Sequence, residues 1–121
     1  MSKKSNIIKD KSYKFALHIV DIYKQMINQN EFILSKQLVR SGTSIGANIE
    51  EAVAAQSRKD FIAKMSIASK EARETNYWLR LLRDSKLCDG IDFSHIIKES
   101  EEIIAILTSI VKTAQNKQAS K

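Results

Sequence analysis

The chain contains no proline and only three glycines in its 121 residues, so few positions interrupt a regular backbone. This scarcity favours long helices joined by short connections. Apolar runs of about 18 residues or more, as a membrane-spanning helix needs, are also missing. The first residues are polar and lack the apolar segment of a secretory signal. We therefore expect neither a membrane span nor secretion.

Cysteine and histidine are nearly absent as well. The single cysteine, Cys88, cannot form an internal disulfide, which is typical of a reducing cytoplasm, where we expect the protein to reside. The two histidines, His18 and His95, do not follow a glutamate by three residues, as the ligands of di-metal bundles do. The sequence also lacks a glycine-rich phosphate loop and any patterned nucleophile. We therefore expect no metal, no cofactor and no enzymatic activity.

What the chain does contain is apolar residues recurring every three or four positions, which is typical of amphipathic helices. Ser12, Ser57 and Ser94 precede three of these patterns and are predicted to cap helices. Gly90 is predicted to lie near the end of the third helix. The predicted helices cover residues 12–29, 32–55, 57–90 and 94–114.

Four such helices with short connections predict an all-α fold, an up-down-up-down antiparallel four-helix bundle. We expect one domain at residues 12–114. A polar, basic leader at residues 1–11 would precede the bundle, and a basic C-terminal tail at residues 115–121 would follow it.

Small residues interrupt the apolar pattern in the middle of the second predicted helix. Gly42 and Gly46 lie four residues apart there. Each glycine within a helix costs about 1 kcal/mol relative to alanine. We therefore expect a neighbouring helix to approach the backbone closely at these positions.

A line of polar residues lies on one face of the same helix, at spacings of four, four and three. It consists of Arg40, Ser44, Asn48 and Glu51. Charged groups in such a position need partners if they are buried, and Glu71 and Glu74 on the third helix, or an adjoining subunit, could supply some of them. Two interpretations stay open: a hydrogen-bonded network that fixes helix register, or a site for a ligand or nucleic acid.

The same stretch, with the helix that follows it, resembles a family of bacterial proteins first noted as products of intervening sequences within 23S rRNA genes. The resemblance extends from residue 34 to residue 87. Glu50 and Ala52 depart from the family pattern, which has a small residue and glycine at those positions. The matching residues are Arg40, Ser44-Ile45, Asn48-Ile49, Glu51, Phe61-Ile62, Ile67-Ala68-Ser69, Glu71 and Glu74.

This resemblance implies a closed four-helix bundle that assembles into a ring-like homo-oligomer, most often a pentamer. It also implies kinship to the accessory variability determinants of diversity-generating retroelements, which are basic rings that work with a reverse transcriptase and nucleic acid. For the intervening-sequence branch, it implies an architecture and no particular activity.

The net charge of +6 is concentrated at the two ends of the chain. Residues 1–14 carry +4 and residues 112–121 carry +3, which leaves −1 for residues 15–111. The ends either keep the protein soluble or act as basic arms that bind the phosphates of RNA or DNA. The candidate phosphate contacts are Lys3, Lys4, Lys9, Lys11, Lys14, Lys112, Lys117 and Lys121. A scaffold that binds another protein is the alternative function.

Overall fold

The computed structural model describes residues 3–119, and within that range the chain forms four helices and no strand. This confirms the predicted all-α class. No helix in this range is long and apolar enough to cross a membrane. The helices are α1 (Lys3–Asn28), α2 (Leu34–Val53), α3 (Arg58–Ser85) and α4 (Ser94–Ala119).

Each helix packs against the next one in the chain, and α1 also packs against α4, which closes the bundle. Two side-chain contacts show the relative direction of α1 and α4. Lys11 pairs with Glu102. His18, which is further along α1, pairs with Glu99, which is earlier on α4. The two helices are therefore antiparallel, and the short connections make the other neighbouring pairs antiparallel too. The up-down-up-down topology is confirmed.

The core forms along the bundle axis from the apolar residues that recur every three or four positions. All four helices contribute fully buried side chains to it. This periodicity turns one face of each helix toward the shared core, so the hydrophobic effect stabilises the whole bundle. The largest fully buried side chains are Ile8, Phe15, Ile19, Met26, Leu38, Ile45, Ile49, Met65, Leu79, Leu82, Ile103 and Leu107.

Helix α1 is longer than predicted. It begins by Lys3 rather than Ser12, so residues 3–11 are part of the bundle and not an irregular leader. Ser12 is buried within the helix and its hydroxyl donates to the carbonyl of Lys9 at 3.1 Å. Ser5 and Ile8 are buried on the same face. The apolar pattern did not reveal this first part of the helix because two of its buried positions are serines.

Helix α4 also extends beyond the predicted boundary. It continues through residues 115–119, which are exposed and helical, so α4 includes most of the predicted basic tail. Lys121 of the predicted tail lies outside the described residues.

The predicted helix caps had mixed outcomes. Ser57 does cap α3, since its Oγ accepts a hydrogen bond from the backbone N–H of Asp60 at 3.0 Å. Ser94 is the first residue of α4 rather than its cap, and its N–H donates to the carboxylate of Asp92 at 2.9 Å. This hydrogen bond is the largest cause of the lowered pKa of Asp92. Helix α3 ends at Ser85, five residues before Gly90.

Candidate functional site

One end of the bundle contains an open cleft of about 760 Å³. Helices α1 and α3 begin at this end, and α2 and α4 finish there. Among the described residues, four basic side chains line the cleft and no acidic side chain does. These residues, which we call the basic rim, are Lys3, Lys4, Arg58 and Lys117.

The apolar part of the cleft lies beside the basic rim, and we call it the apolar floor. Phe61 is its aromatic member; it is half-buried and packs against the hydrophobic core. The first turn of α3 fixes the position of Phe61, whose N–H donates to the carbonyl of Ser57 at 3.0 Å. The apolar floor consists of Ala52, Val53, Ala55, Phe61, Ile110 and Ala114.

The charges of the basic rim have no acidic partner among the described residues. Lys4 Nζ donates to the neutral hydroxyl of Ser109, at 2.5 Å from Oγ. The side chains of Lys3, Arg58 and Lys117 form no hydrogen bond or ion pair with any other residue between positions 3 and 119. The two nearby glutamates on α2 are paired with lysines outside the cleft, Glu50 with Lys9 and Glu51 with Lys64. The rim is therefore suited to a ligand with several negative charges.

Only some of the lysines predicted as phosphate contacts meet in this cleft. Lys3, Lys4 and Lys117 do, although they come from opposite ends of the chain. Lys9 and Lys11 are instead paired with Glu50 at 3.6 Å and with Glu102 at 2.8 Å.

Two other predicted lysines lie elsewhere on the surface. Lys14 is exposed on α1, and Lys112 lines a smaller cleft of about 240 Å³ with Arg73. Arg58 was not predicted as a phosphate contact. The topology could have revealed it, because in an up-down-up-down bundle α3 begins at the same end as α1, and Arg58 is the first residue of α3.

Arg40 joins α2 to α3 through two glutamates, as the sequence suggested. Its guanidinium forms an ion pair with Glu71, with Nη1 at 3.2 Å from Oε2, and a second one with Glu74. Trp78 Nε1 also donates to Glu74 Oε2, at 3.0 Å. This hydrogen bond lowers the pKa of Glu74, and the hydrogen bond and the charge of Arg40 lower it further. Arg40 is half exposed, so these contacts order the surface between the two helices.

The rest of the predicted polar line does not connect to these ion pairs through its side chains. The Ser44 hydroxyl donates to the carbonyl of Arg40 at 2.7 Å, and the Asn48 amide donates to the carbonyl of Ser44 at 2.8 Å. Glu51 pairs separately with Lys64 at 2.9 Å. Each polar side chain thus has a partner within the protein, but only Arg40 and Glu51 reach α3, whereas Ser44 and Asn48 bond within α2.

Two histidines and a glutamate meet between α1 and α4. His18 Nδ1 lies 2.9 Å from Glu99 Oε1, and His95 Nε2 lies 3.5 Å from the same oxygen. His95 is largely exposed, and no group of potential metal ligands within residues 3–119 has the arrangement of a metal site. Cys88 is buried, and burial raises the pKa of its thiol, so the reactive thiolate is disfavoured.

The chain is similar to known proteins over most of its length. The family described as 23S rRNA-intervening sequence protein matches residues 4–109. A crystal structure of a protein of unknown function from the S23 ribosomal protein family of Bacteroides thetaiotaomicron is 54% identical. The alignment covers 90% of this chain and 98% of that one, with a TM-score of 0.85. No curated protein matches the chain.

Proposed function

We propose that this chain, which belongs to the 23S rRNA-intervening sequence protein family, binds the phosphate backbone of nucleic acid at its basic rim. The observation that carries the proposal is the collection of four cations around one open cleft, with no carboxylate from residues 3–119 among them. Such a site releases counterions from a phosphate backbone when it binds, and that release drives association. The protein would act as a binding module in the cytoplasm rather than as an enzyme.

The basic rim contacts charge rather than base sequence. Arg58 offers a planar guanidinium, which binds phosphate oxygens in pairs, whereas the three lysines act as point charges. Four phosphate contacts would give a slope of about −3 in log affinity against log salt for a single strand, and a slightly steeper one for a duplex. Binding should therefore weaken markedly between about 50 and 200 mM salt.

The test is a fluorescence-anisotropy titration of structured RNA and duplex DNA at two salt concentrations. In the rim variant, all four basic-rim residues are replaced by glutamine. The matched control variant carries Lys24→Gln, Lys36→Gln, Lys86→Gln and Lys98→Gln, which removes four exposed charges at the opposite end of the bundle. We expect the rim variant to lose at least about tenfold in affinity and most of its salt slope, since each phosphate that is no longer bound reduces the slope by about one.

Equal losses in the two variants would mean that net charge alone drives binding, which would contradict a site at the basic rim. No binding by the unaltered protein at low salt would contradict a nucleic-acid function altogether.

We also propose that the protein forms a homo-oligomer, a pentamer by family resemblance. Supporting this are large apolar side chains that stay exposed on outer helix faces. Tyr13 and Leu17 on α1 are 64% and 55% exposed, and Tyr77 and Leu81 lie four residues apart on α3. In a pentamer the basic rim would occur five times, and multivalent contact would raise the overall affinity. Light scattering coupled to size-exclusion chromatography gives the mass; a monomer at micromolar concentration would contradict the proposal.

The same exposed side chains favour one alternative, a scaffold that binds another protein. On that account the excess positive charge only aids solubility. A stoichiometric protein partner that stays bound after nuclease treatment, and that no longer binds a Tyr77→Ser and Leu81→Ser variant, would favour the scaffold.

A further inference from the structure

We propose that the cleft binds an unpaired nucleotide of a single strand, with its base on the apolar floor and its neighbouring phosphates on the basic rim. This inference rests on the proposed function and adds which form of nucleic acid the protein selects. The observation behind it is that one cleft is lined both by the cations of the basic rim and by the apolar floor, which includes the partly exposed ring of Phe61.

The apolar floor is not needed for phosphate binding alone. Val53, Phe61 and Ile110 line the cleft beside the cations, where a phosphate would gain nothing from them. A planar base would be stabilised there, because it removes apolar surface from water and stacks on the aromatic ring. Any of the bases can stack in this way. In a duplex the bases are stacked on each other, so only an unpaired base can occupy the floor.

The dimensions and the charge of the cleft agree with this occupant. A volume of about 760 Å³ is within the range of small-molecule sites, and a phosphate group alone would leave most of it to water. The rim also has four positive charges, which is more than is needed to neutralise one carboxylate or one lipid headgroup. Successive phosphates on either side of a base supply the required number of negative charges.

The test compares an oligo(dA) strand of about 12 nucleotides with an abasic strand of the same length and backbone charge, and with a duplex, whose two strands carry about twice that charge. The unaltered protein should bind oligo(dA) at least about tenfold more tightly than the abasic strand. In Phe61→Leu, which keeps an apolar side chain against the core, this preference should fall to about threefold or less, with affinity for the abasic strand unchanged.

Two further variants separate stacking from folding. Phe61→Tyr keeps an aromatic ring and should retain the preference for bases. Phe32→Leu removes an exposed aromatic side chain at the opposite end of the bundle and should change nothing.

Equal binding of oligo(dA) and the abasic strand would overturn the unpaired-nucleotide site while leaving phosphate binding intact. A base preference that survives in Phe61→Leu would overturn it as well. Tighter binding to phosphatidylglycerol vesicles than to oligo(dA) would overturn it in favour of a lipid. Failure of all three nucleic-acid probes to bind would instead contradict the proposed function itself.

Discussion

The backbone of Gly42 lies directly against the side chain of Ile19, so that α1 and α2 approach closely at this point. A Cβ atom added to Gly42 would stand 2.8 Å from both Cγ1 and Cγ2 of Ile19. Those carbons are attached to the branch point of a fully buried side chain and have little freedom to move. Gly46, one turn later, is less confined: its added Cβ would lie 3.5 Å from Ser12 Oγ, an ordinary contact.

We predict that Gly42→Ala lowers the free energy of unfolding by about 1–3 kcal/mol, because the new methyl group overpacks the contact with Ile19. Gly46→Ala should raise it by about 0.5–1 kcal/mol, because alanine is the better helix former and has room. Urea unfolding followed by circular dichroism measures both. Similar effects of the two substitutions would show that helix propensity, rather than the Ile19 contact, decides the outcome.

A second prediction concerns the buried hydroxyls of Ser41 and Thr75, which are hydrogen-bonded between α2 and α3 at 2.9 Å. Thr75→Val keeps the shape of the side chain but removes its hydroxyl, so Ser41 loses its partner on α3. We expect the free energy of unfolding to fall by about 1–2 kcal/mol. The Ser41→Ala and Thr75→Val double variant should lose less than the sum of the single losses. Strict additivity, measured by urea unfolding, would mean that the two hydroxyls do not interact.

A third prediction follows from Glu31, whose carboxylate accepts hydrogen bonds at the start of α2. Its oxygens lie 2.9 Å from the backbone N of Leu34 and 2.7 Å from that of Ser35. Burial acts to raise the pKa of Glu31, but the bonds from Leu34, Ser35 and Ile33 together outweigh it and hold the pKa below its usual value. The folded pKa is therefore lower than the unfolded one. The stabilisation is present above the unfolded value of about 4.3 and is lost as the pH falls through the folded value.

Glu31→Gln should accordingly lower the free energy of unfolding by about 1 kcal/mol at neutral pH. The difference from the unaltered protein should shrink as the pH falls below the unfolded value and through the lowered folded pKa, where Glu31 itself becomes protonated. Glu101→Gln, at an exposed position on α4, is the control. A difference that stays constant from neutral to acidic pH would contradict the role of the charged carboxylate.

A fourth prediction tests whether two neighbours act together on Glu74. The Trp78 N–H lowers the pKa of its carboxyl group by hydrogen bonding, and Arg40 lowers it further by hydrogen bonding and by its charge. Trp78→Phe and Arg40→Gln should therefore each raise the pKa of Glu74, whereas Tyr77→Phe should leave it unchanged. NMR titration of the Glu74 side-chain carboxyl measures this. A pKa that stays unchanged in Trp78→Phe would show that the indole N–H does not bond the carboxylate.

The sequence predicted the four helices and their topology because the apolar period is regular in the second half of α1 and along α2, α3 and α4. It failed at the start of α1, where Ser5 and Ser12 occupy buried positions and weaken the pattern. It also anticipated that Arg40 meets Glu71 and Glu74, because these residues lie on helices that must be neighbours.

The basic rim was only partly predictable. Lys3, Lys4 and Lys117 were expected as two separate arms, and only the antiparallel arrangement of α1 and α4 brings them together around one cleft. Arg58 joins them because the connection from α2 to α3 ends there. The pairing of Lys11 with Glu102 depends on how far α1 is shifted along α4, and periodicity does not specify this shift.

The most direct test of the basic rim is lysine acylation followed by mass spectrometry, with and without bound RNA at low salt. We predict that RNA protects Lys3, Lys4 and Lys117, while Lys24, Lys36 and Lys86 at the opposite end remain reactive. Protection of the opposite-end lysines instead, or uniform protection of both sets, would contradict a nucleic-acid site at the basic rim.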